Sequence, residues 1–253
     1  MLRLSQTAPA AAFVLAVGAL SGGCADNEST LFIQGVLATE ATECVARPDP
    51  EAAFRQLGYL DVAFGGGYVA ALQVGSQITE RGDREKVRTE TSRMHLEGAE
   101  VTIFPTEGPS LSFASPATGF VHPASGTDPG LAAVFVQLVR PQDIAVLQGL
   151  PGGQMIARVR VYGTTLGGQE VESGEFDFPI FVCEGCLVTY PLSAQDPSSG
   201  SGTYQCGVMS GAVVDDSVIC SLGQDASFPC SLCVGTYDIC DSPTANPYYN
   251  PNL

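Results

Sequence analysis

The sequence predicts an all-β protein, an immunoglobulin-like β-sandwich followed by a C-terminal disulfide-rich module. Three observations carry this. Apolar and polar residues alternate over several segments, the period-two pattern of a half-buried strand. The 253 residues include 29 glycines and 17 prolines, which cut the chain into short pieces and exclude a coiled coil. Seven cysteines fall between Cys183 and Cys240, a density above the ~8–10% that marks a disulfide scaffold.

The elements follow in chain order. Leu31–Leu37 is a first strand, and Pro48–Leu57 a loop with one helical turn. Tyr68, Ala70, Leu72, Val74 and Ile78 form the apolar face of the next strand, interrupted by Ser76. Val101–Phe104 is another strand, stopped by Pro105. Leu131–Val139 is almost continuously apolar and predicts a central strand covered on both faces. Pro141–Leu147 predicts a short helix with proline in its first turn. Met155, Ala157, Val159 and Val161 then face inward, with Arg158 and Arg160 outward. After a turn at Gly163–Gly168, Phe176, Phe178, Ile180 and Val182 face inward. Glu175 and Asp177 are then placed to meet the two arginines across the strands. The organisation is thus a signal segment (1–23), an anchor, first strand and connecting loop (24–58), a sandwich (59–182), a Cys-rich module (183–242) and a flexible tail (243–253).

The N-terminus supplies an address. Arg3 precedes the apolar run Ala10–Leu20, which is shorter than the ~20 residues that span a bilayer. Leu20-Ser21-Gly22-Gly23-Cys24 resembles a bacterial lipobox, in which the signal is cut ahead of a cysteine whose thiol is then acylated. Ser21 stands where such motifs prefer leucine. Cys24 is therefore the expected lipid anchor, each buried acyl methylene contributing ~0.8 kcal/mol to membrane attachment. Ala25, rather than aspartate, follows the cysteine and leans the sorting towards the outer membrane.

Cysteine parity adds a long-range constraint. With Cys24 set aside, Cys44, Cys183, Cys186, Cys206, Cys220, Cys230, Cys233 and Cys240 remain, an even number suited to disulfides in an oxidising compartment. Seven of these lie in the C-terminal cluster, and seven cannot pair fully among themselves. Cys44 is accordingly expected to bond to a cysteine of the cluster. Which one, and how the others pair, stays open among 105 connectivities.

The run from Cys24 to Leu37 (CADNESTLFIQGVL) resembles the start of uncharacterised outer-membrane lipoproteins of myxobacteria. Arg88–Thr91, Val161–Gly168 and the stretch Phe178–Cys186 fit the same resemblance, as does an excess of ten arginines over the single Lys86. The resemblance implies an address and a fold. It carries no activity and no functional residues.

Charge and motifs narrow the function. With 27 acidic and 11 basic residues the formal charge is −16, so nucleic-acid binding through a basic face is not expected. His95 and Glu97 with Cys230 and Cys233 match the residue types of a zinc deaminase, but the halves are far apart and exported thiols become half-cystines. The two CxxC pairs, Cys183/Cys186 and Cys230/Cys233, could hold zinc or act as a redox dithiol; structural disulfides are the expected use. His95 and His122 are the only histidines, and no G-x-S-x-G elbow accompanies them. Arg81-Gly82-Asp83 lies in a polar hairpin loop and reads as a turn. Calcium would require converging carboxylates, and Asp215-Asp216 is the only adjacent aspartate pair. The expectation is a non-catalytic lipoprotein of the bacterial outer membrane, facing the periplasm or the surface. It would be held by acyl chains on Cys24, with no cofactor and no metal, and would bind an envelope or extracellular ligand or serve a structural role. The alternatives are a metal-dependent hydrolase using His95, His122 and carboxylates, and a thiol-redox protein.

Overall fold

The computed structural model describes residues 30–39, 44–83, 85–148, 152–190, 206 and 220–241. Cys24, the signal segment, Ser198–Thr203, Asp215-Asp216 and the 243–253 tail lie outside them. The strands are β1 (Leu31–Leu37), β2 (Phe54–Arg55), β3 (Gly58–Asp61), β4 (Tyr68–Ser76), β5 (Met94–Pro105), β6 (Leu111–Ser115), β7 (Gly119–Val121), β8 (Gly130–Val139), β9 (Gly153–Thr165), β10 (Glu170–Glu172), β11 (Phe176–Cys183), β12 (Val188–Thr189) and β13 (Phe228–Pro229). Among the described residues there are also two single-turn helices, α1 (Ile144–Leu147) and α2 (Asp238–Asp241), and short 3-10 turns.

The strands form two principal sheets. One has the order β2-β1-β4-β8, every pair antiparallel. The other runs β3-β11-β9-β5-β6, with β10 added to β9 and β7 to β5. Its pairs are antiparallel except β3 with β11, which is parallel. The inward faces of both sheets meet in one core: Leu72, Val74, Val134 and Val136 from the first, Val101, Ile103, Ala157, Val159, Phe178 and Ile180 from the second. Period-two alternation is the reason these residues converge, since every second side chain of a strand points the same way. The register places Arg158 directly opposite Asp177, and a guanidinium–carboxylate contact of 2.7 Å closes the pair; Arg160 reaches Glu175 at 3.3 Å. The predicted helix at Pro141–Leu147 is a 3-10 turn at Pro141–Asp143 running into α1.

Three expectations are corrected. β8 is an edge strand, not a central one. Val134, Val136 and Leu138 face the core, whereas Phe135 is 51% exposed on the other side. The strand buried on both faces is β4, flanked by β1 and β8. The 48–57 segment makes β2 instead of a helical turn, because Phe54 and Arg55 pair with Leu37 and Val36. The third correction concerns the frame's limits. β1 is a working strand of the first sheet, paired with β4 from Leu31 to Val36, so the frame begins well before residue 59.

The Cys-rich segment builds a second, smaller core from Leu187, Val188, Cys206, Phe228, Cys230, Cys233, Ile239 and Cys240. Phe64, from the turn after β3, inserts into it and meets Phe228 and Tyr237 edge-on at centroid distances of 5.1 and 4.8 Å. The frame thus donates an aromatic anchor to the module, and each stabilises the other.

Two strands approach unusually closely at Gly163. It faces Leu96 beside a bulge in β5, and a Cβ there would collide with the backbone of His95 and Leu96. Glycine is required by this close approach of backbone to backbone. Gly163→Ala is expected to destabilise the fold by about 1–3 kcal/mol, because backbone cannot move aside as a flexible side chain can. A urea midpoint unchanged from the parent chain would contradict this.

Candidate functional site

The chemistry concentrates where the frame meets the Cys-rich module. Four disulfides join Cys44 to Cys220, Cys183 to Cys186, Cys206 to Cys230 and Cys233 to Cys240. The partner that parity requires for Cys44 is Cys220, 176 positions away. The two CxxC sequences differ in kind. Cys230 and Cys233 belong to separate bonds, so they form no dithiol pair. Cys183 and Cys186 bond to each other across two intervening residues.

Asp61 organises the Cys183–Cys186 loop. It ends β3, which lies parallel to β11, so its side chain arrives where β11 delivers Cys183; the register pairs the two residues directly. The carboxylate is fully buried. Oδ1 accepts from the amides of Gly185 at 2.8 Å and Ala63 at 3.2 Å, and Oδ2 from that of Leu187 at 3.2 Å. A carboxylate oxygen and both sulfurs lie within 4.8 Å of one another. Burial raises the Asp61 pKa above 3.8, outweighing the three backbone hydrogen bonds that lower it, and the charge of Glu184 adds to the rise. Between pH 3.8 and the raised folded value, the folded state therefore holds a proton that the unfolded chain releases. That contribution to stability is present below 3.8 and is lost as pH rises through the folded value. Among the described residues, Asp61, Cys183 and Cys186 are the one group of three such side chains close enough to share an ion, and the disulfide occupies both sulfurs.

A second polar centre lies at Asp225. Its Oδ1 accepts from the Tyr59 amide at 2.9 Å, and its Oδ2 accepts from the Tyr68 hydroxyl at 2.8 Å and faces Arg55 Nε at 3.3 Å. Tyr68 is wholly buried, its ring 6.0 Å from that of Phe178 on the opposite sheet. Gly58 leaves the space that the Tyr68 ring fills. Burial and the adjacent carboxylate hold the phenol far above its ordinary pKa of 10.0, so it remains a donor. Gln224 clasps β4: its Oε1 accepts from the Val69 amide at 2.9 Å, and its Nε2 donates to the Val69 carbonyl at 2.6 Å. Beside these residues a cleft of about 310 Å³ is lined by Arg55, Val69, Phe135, Ser221, Gln224 and Ala226, with the Cys44–Cys220 bond at its wall. Phe135 of the edge strand faces this cleft, which explains an apolar residue on the outer side of β8.

The other sequence candidates are not brought together. His95 lies on the outer side of β5 against Phe120, ring centroids 5.0 Å apart, with the Arg93 guanidinium 4.3 Å from the same Phe120 ring. Cys230 and Cys233 sit in the second core, bonded elsewhere, so the residue types matching a zinc deaminase make no site. His122 is exposed just after β7. The Arg81-Gly82-Asp83 loop is a turn held by Glu90, whose Oε2 accepts from the amides of Arg81 and Gly82 at 2.9 and 2.7 Å. Glu97, Glu170 and Glu172 line an open cleft of about 490 Å³ with Tyr162 and Thr164. Thr164 donates to Glu97 at 2.7 Å there.

No family model, curated protein or solved structure matches this chain. Sequence reasoning missed Asp61, Tyr68, Gln224 and Asp225. Asp61 carried a signal: it is an acid inside the apolar run Leu60 to Phe64, where a charge must find partners. Gln224 and Asp225 carried none, because their partners lie 155 or more positions away.

Proposed function

We infer that this chain is an exported envelope protein of the bacterial outer membrane, anchored by acyl chains on Cys24, which binds a ligand or partner without catalysis. The observation that carries the reading is the disulfide set. All eight cysteines after Cys24 are paired, and one pair ties the start of the frame to the Cys-rich module. Such a set persists in oxidising compartments and is rare where thiols are kept reduced. The lipobox-like run before Cys24 and the resemblance to myxobacterial lipoproteins support the address.

The frame is read as immunoglobulin-like on its strand order. β1, β4 and β8 stand as neighbours in one sheet, and β5, β9 and β11 as an antiparallel triplet in the other. Immunoglobulin sandwiches divide their first, second and fifth strands from the third, sixth and seventh in this way. Parallel pairing of the short β3 with the last frame strand lets the chain visit both sheets before β4 begins. The cleft beside Asp225 is the proposed place of docking, since it joins an exposed aromatic ring to hydrogen-bonding groups on a cross-linked wall.

Intact mass of the membrane-extracted protein, alkylated before reduction, tests this reading. The expected chain begins at Cys24, carries acyl mass, and has eight cysteines untouched by the alkylating reagent. A chain without acyl mass would remove the anchor. Alkylated cysteines would remove the oxidised envelope on which the reading rests.

A further inference from the structure

Among the four disulfides, Cys183–Cys186 differs in three respects. It closes a loop with only two intervening residues, so it restrains the unfolded chain least. Its loop is held without it, because Asp61 takes the amides of Gly185 and Leu187. A buried carboxyl group also lies within 4.8 Å of both sulfurs. A staple needs neither the second feature nor the third. An exchangeable dithiol needs both: a loop that keeps its shape when the bond opens, and an acid that meets the sulfur left behind.

We propose that Cys183–Cys186 is an exchangeable disulfide, opened by an external dithiol, with Asp61 passing a proton to Cys183. This goes beyond the binding role, which would stand without it. Burial sets the direction. Cys183 is inaccessible, whereas Cys186 is half-buried, so an incoming thiolate attacks Cys186 Sγ. A sulfur–sulfur bond forms between reductant and Cys186, and the Cys183–Cys186 bond breaks. The electron pair leaves on Cys183 Sγ, and the Asp61 carboxyl proton transfers to it. The second thiol of the reductant, as its thiolate, then attacks its own sulfur in the mixed disulfide, oxidising the reductant to a cyclic disulfide and releasing Cys186 as a thiolate. Solvent protons restore the Cys186 thiol and the Asp61 acid. Two electrons and two protons have passed from the reductant dithiol to the protein.

Asp61 suits this step because desolvation keeps its acid form available at higher pH than for a free aspartate. Two acids occur on segments that meet it. Glu184, within the loop, adds negative charge and shares a cleft of about 410 Å³ with Asp238 of α2. Asp225 spends its carboxylate on Tyr59, Tyr68 and Arg55. On reduction the loop stays clasped by Asp61 hydrogen bonds, so the two sulfurs remain neighbours for reoxidation.

The test is timed reduction of the folded, full mature chain by dithiothreitol, quenched with acid, alkylated and mapped by peptide mass. Cys183 and Cys186 are expected to be labelled together, at least tenfold faster than the other six cysteines. Exposure alone predicts the opposite order, since Cys220 is exposed and Cys44 half-buried. Faster opening of Cys44–Cys220, or opening of Cys183–Cys186 only in denaturant, overturns the proposal. Per unit of reductant thiolate, the rate should fall as pH rises through the titration of Asp61. Asp61→Asn should lower the rate at least fivefold and flatten this profile. Glu184→Gln keeps the buried acid and its hydrogen bonds, and should move the midpoint to lower pH. A normalised rate independent of pH in the parent chain overturns the proton-transfer role, whether or not Asp61→Asn folds.

Discussion

Replacing Cys44 and Cys220 together by serine is expected to lower stability by up to about 5 kcal/mol, with the other three disulfides intact. The bond closes a loop of 176 positions, and in the chain-entropy model the restraint on the unfolded state grows with the logarithm of loop length. The same model gives only about 2 kcal/mol for Cys183–Cys186, so the long bond dominates the covalent contribution. Its native ends are also positioned at a conformational cost, since Cys44 holds a left-handed φ of 55°. Cys44→Gly with Cys220→Ser should therefore recover roughly 1 kcal/mol relative to the double serine variant, because glycine adopts that φ without steric penalty. Urea denaturation followed by circular dichroism under non-reducing conditions measures both. A loss below about 1 kcal/mol for the double serine variant would mean that Gln224 and Asp225 hold the C-terminal segment to the frame unaided.

Local periodicity was the most legible part of this sequence. β9 and β11 follow the alternation, and the facing of Arg158 and Arg160 to Asp177 and Glu175 follows from one correct register between them, whereas β4, whose pattern predicts a half-buried strand, is covered on both faces. What periodicity could not reveal was which strand covers which. Leu131–Val139 is apolar on both faces, and that pattern is shared by a strand flanked on both sides and by an edge strand whose outer ring lines a cleft. β8 is the second kind. Likewise, β1 pairs with β4 across more than thirty positions, and β3 with β11 across more than a hundred, so no window along the chain contains both members.

The junction was legible in its covalent logic and hidden in its polar logic. Parity placed Cys44 against the cluster because disulfide formation counts residues and needs no geometry. Asp61 and Asp225 act through backbone amides and a single hydroxyl, groups that every sequence contains. Cys183 beside Cys186 was visible as a motif. That a buried acid lies against them depends on parallel pairing of two distant strands, which brings Asp61 level with Cys183.

Asp225→Ala is expected to cost about 2–4 kcal/mol, from the loss of hydrogen bonds to a partly buried charged group. Three donors lose their acceptor at once, and Gln224 Nε2 loses a longer contact of 3.4 Å. The Tyr68 hydroxyl is beyond the reach of solvent, the Tyr59 amide belongs to β3, and Arg55 Nε sits on a guanidinium only partly open to water. Tyr68→Phe removes just one of these bonds and leaves the carboxylate its other partners, so about 1–2 kcal/mol is expected. In the Asp225→Ala background the same Tyr68→Phe change should cost less than in the parent, or become favourable, because it then deletes a buried hydroxyl that has no acceptor. The left-handed φ of 62° at Asp225 gives a control. Asp225→Asn retains a side chain that tolerates this conformation and can still accept from Tyr59 or Tyr68, so its loss should be less than that of Asp225→Ala. Stabilities of the four chains from urea curves complete the cycle. Additive losses would show that Tyr68 and Asp225 act independently, and the joint between frame and module would then rest on Gln224 and the Cys44–Cys220 bond.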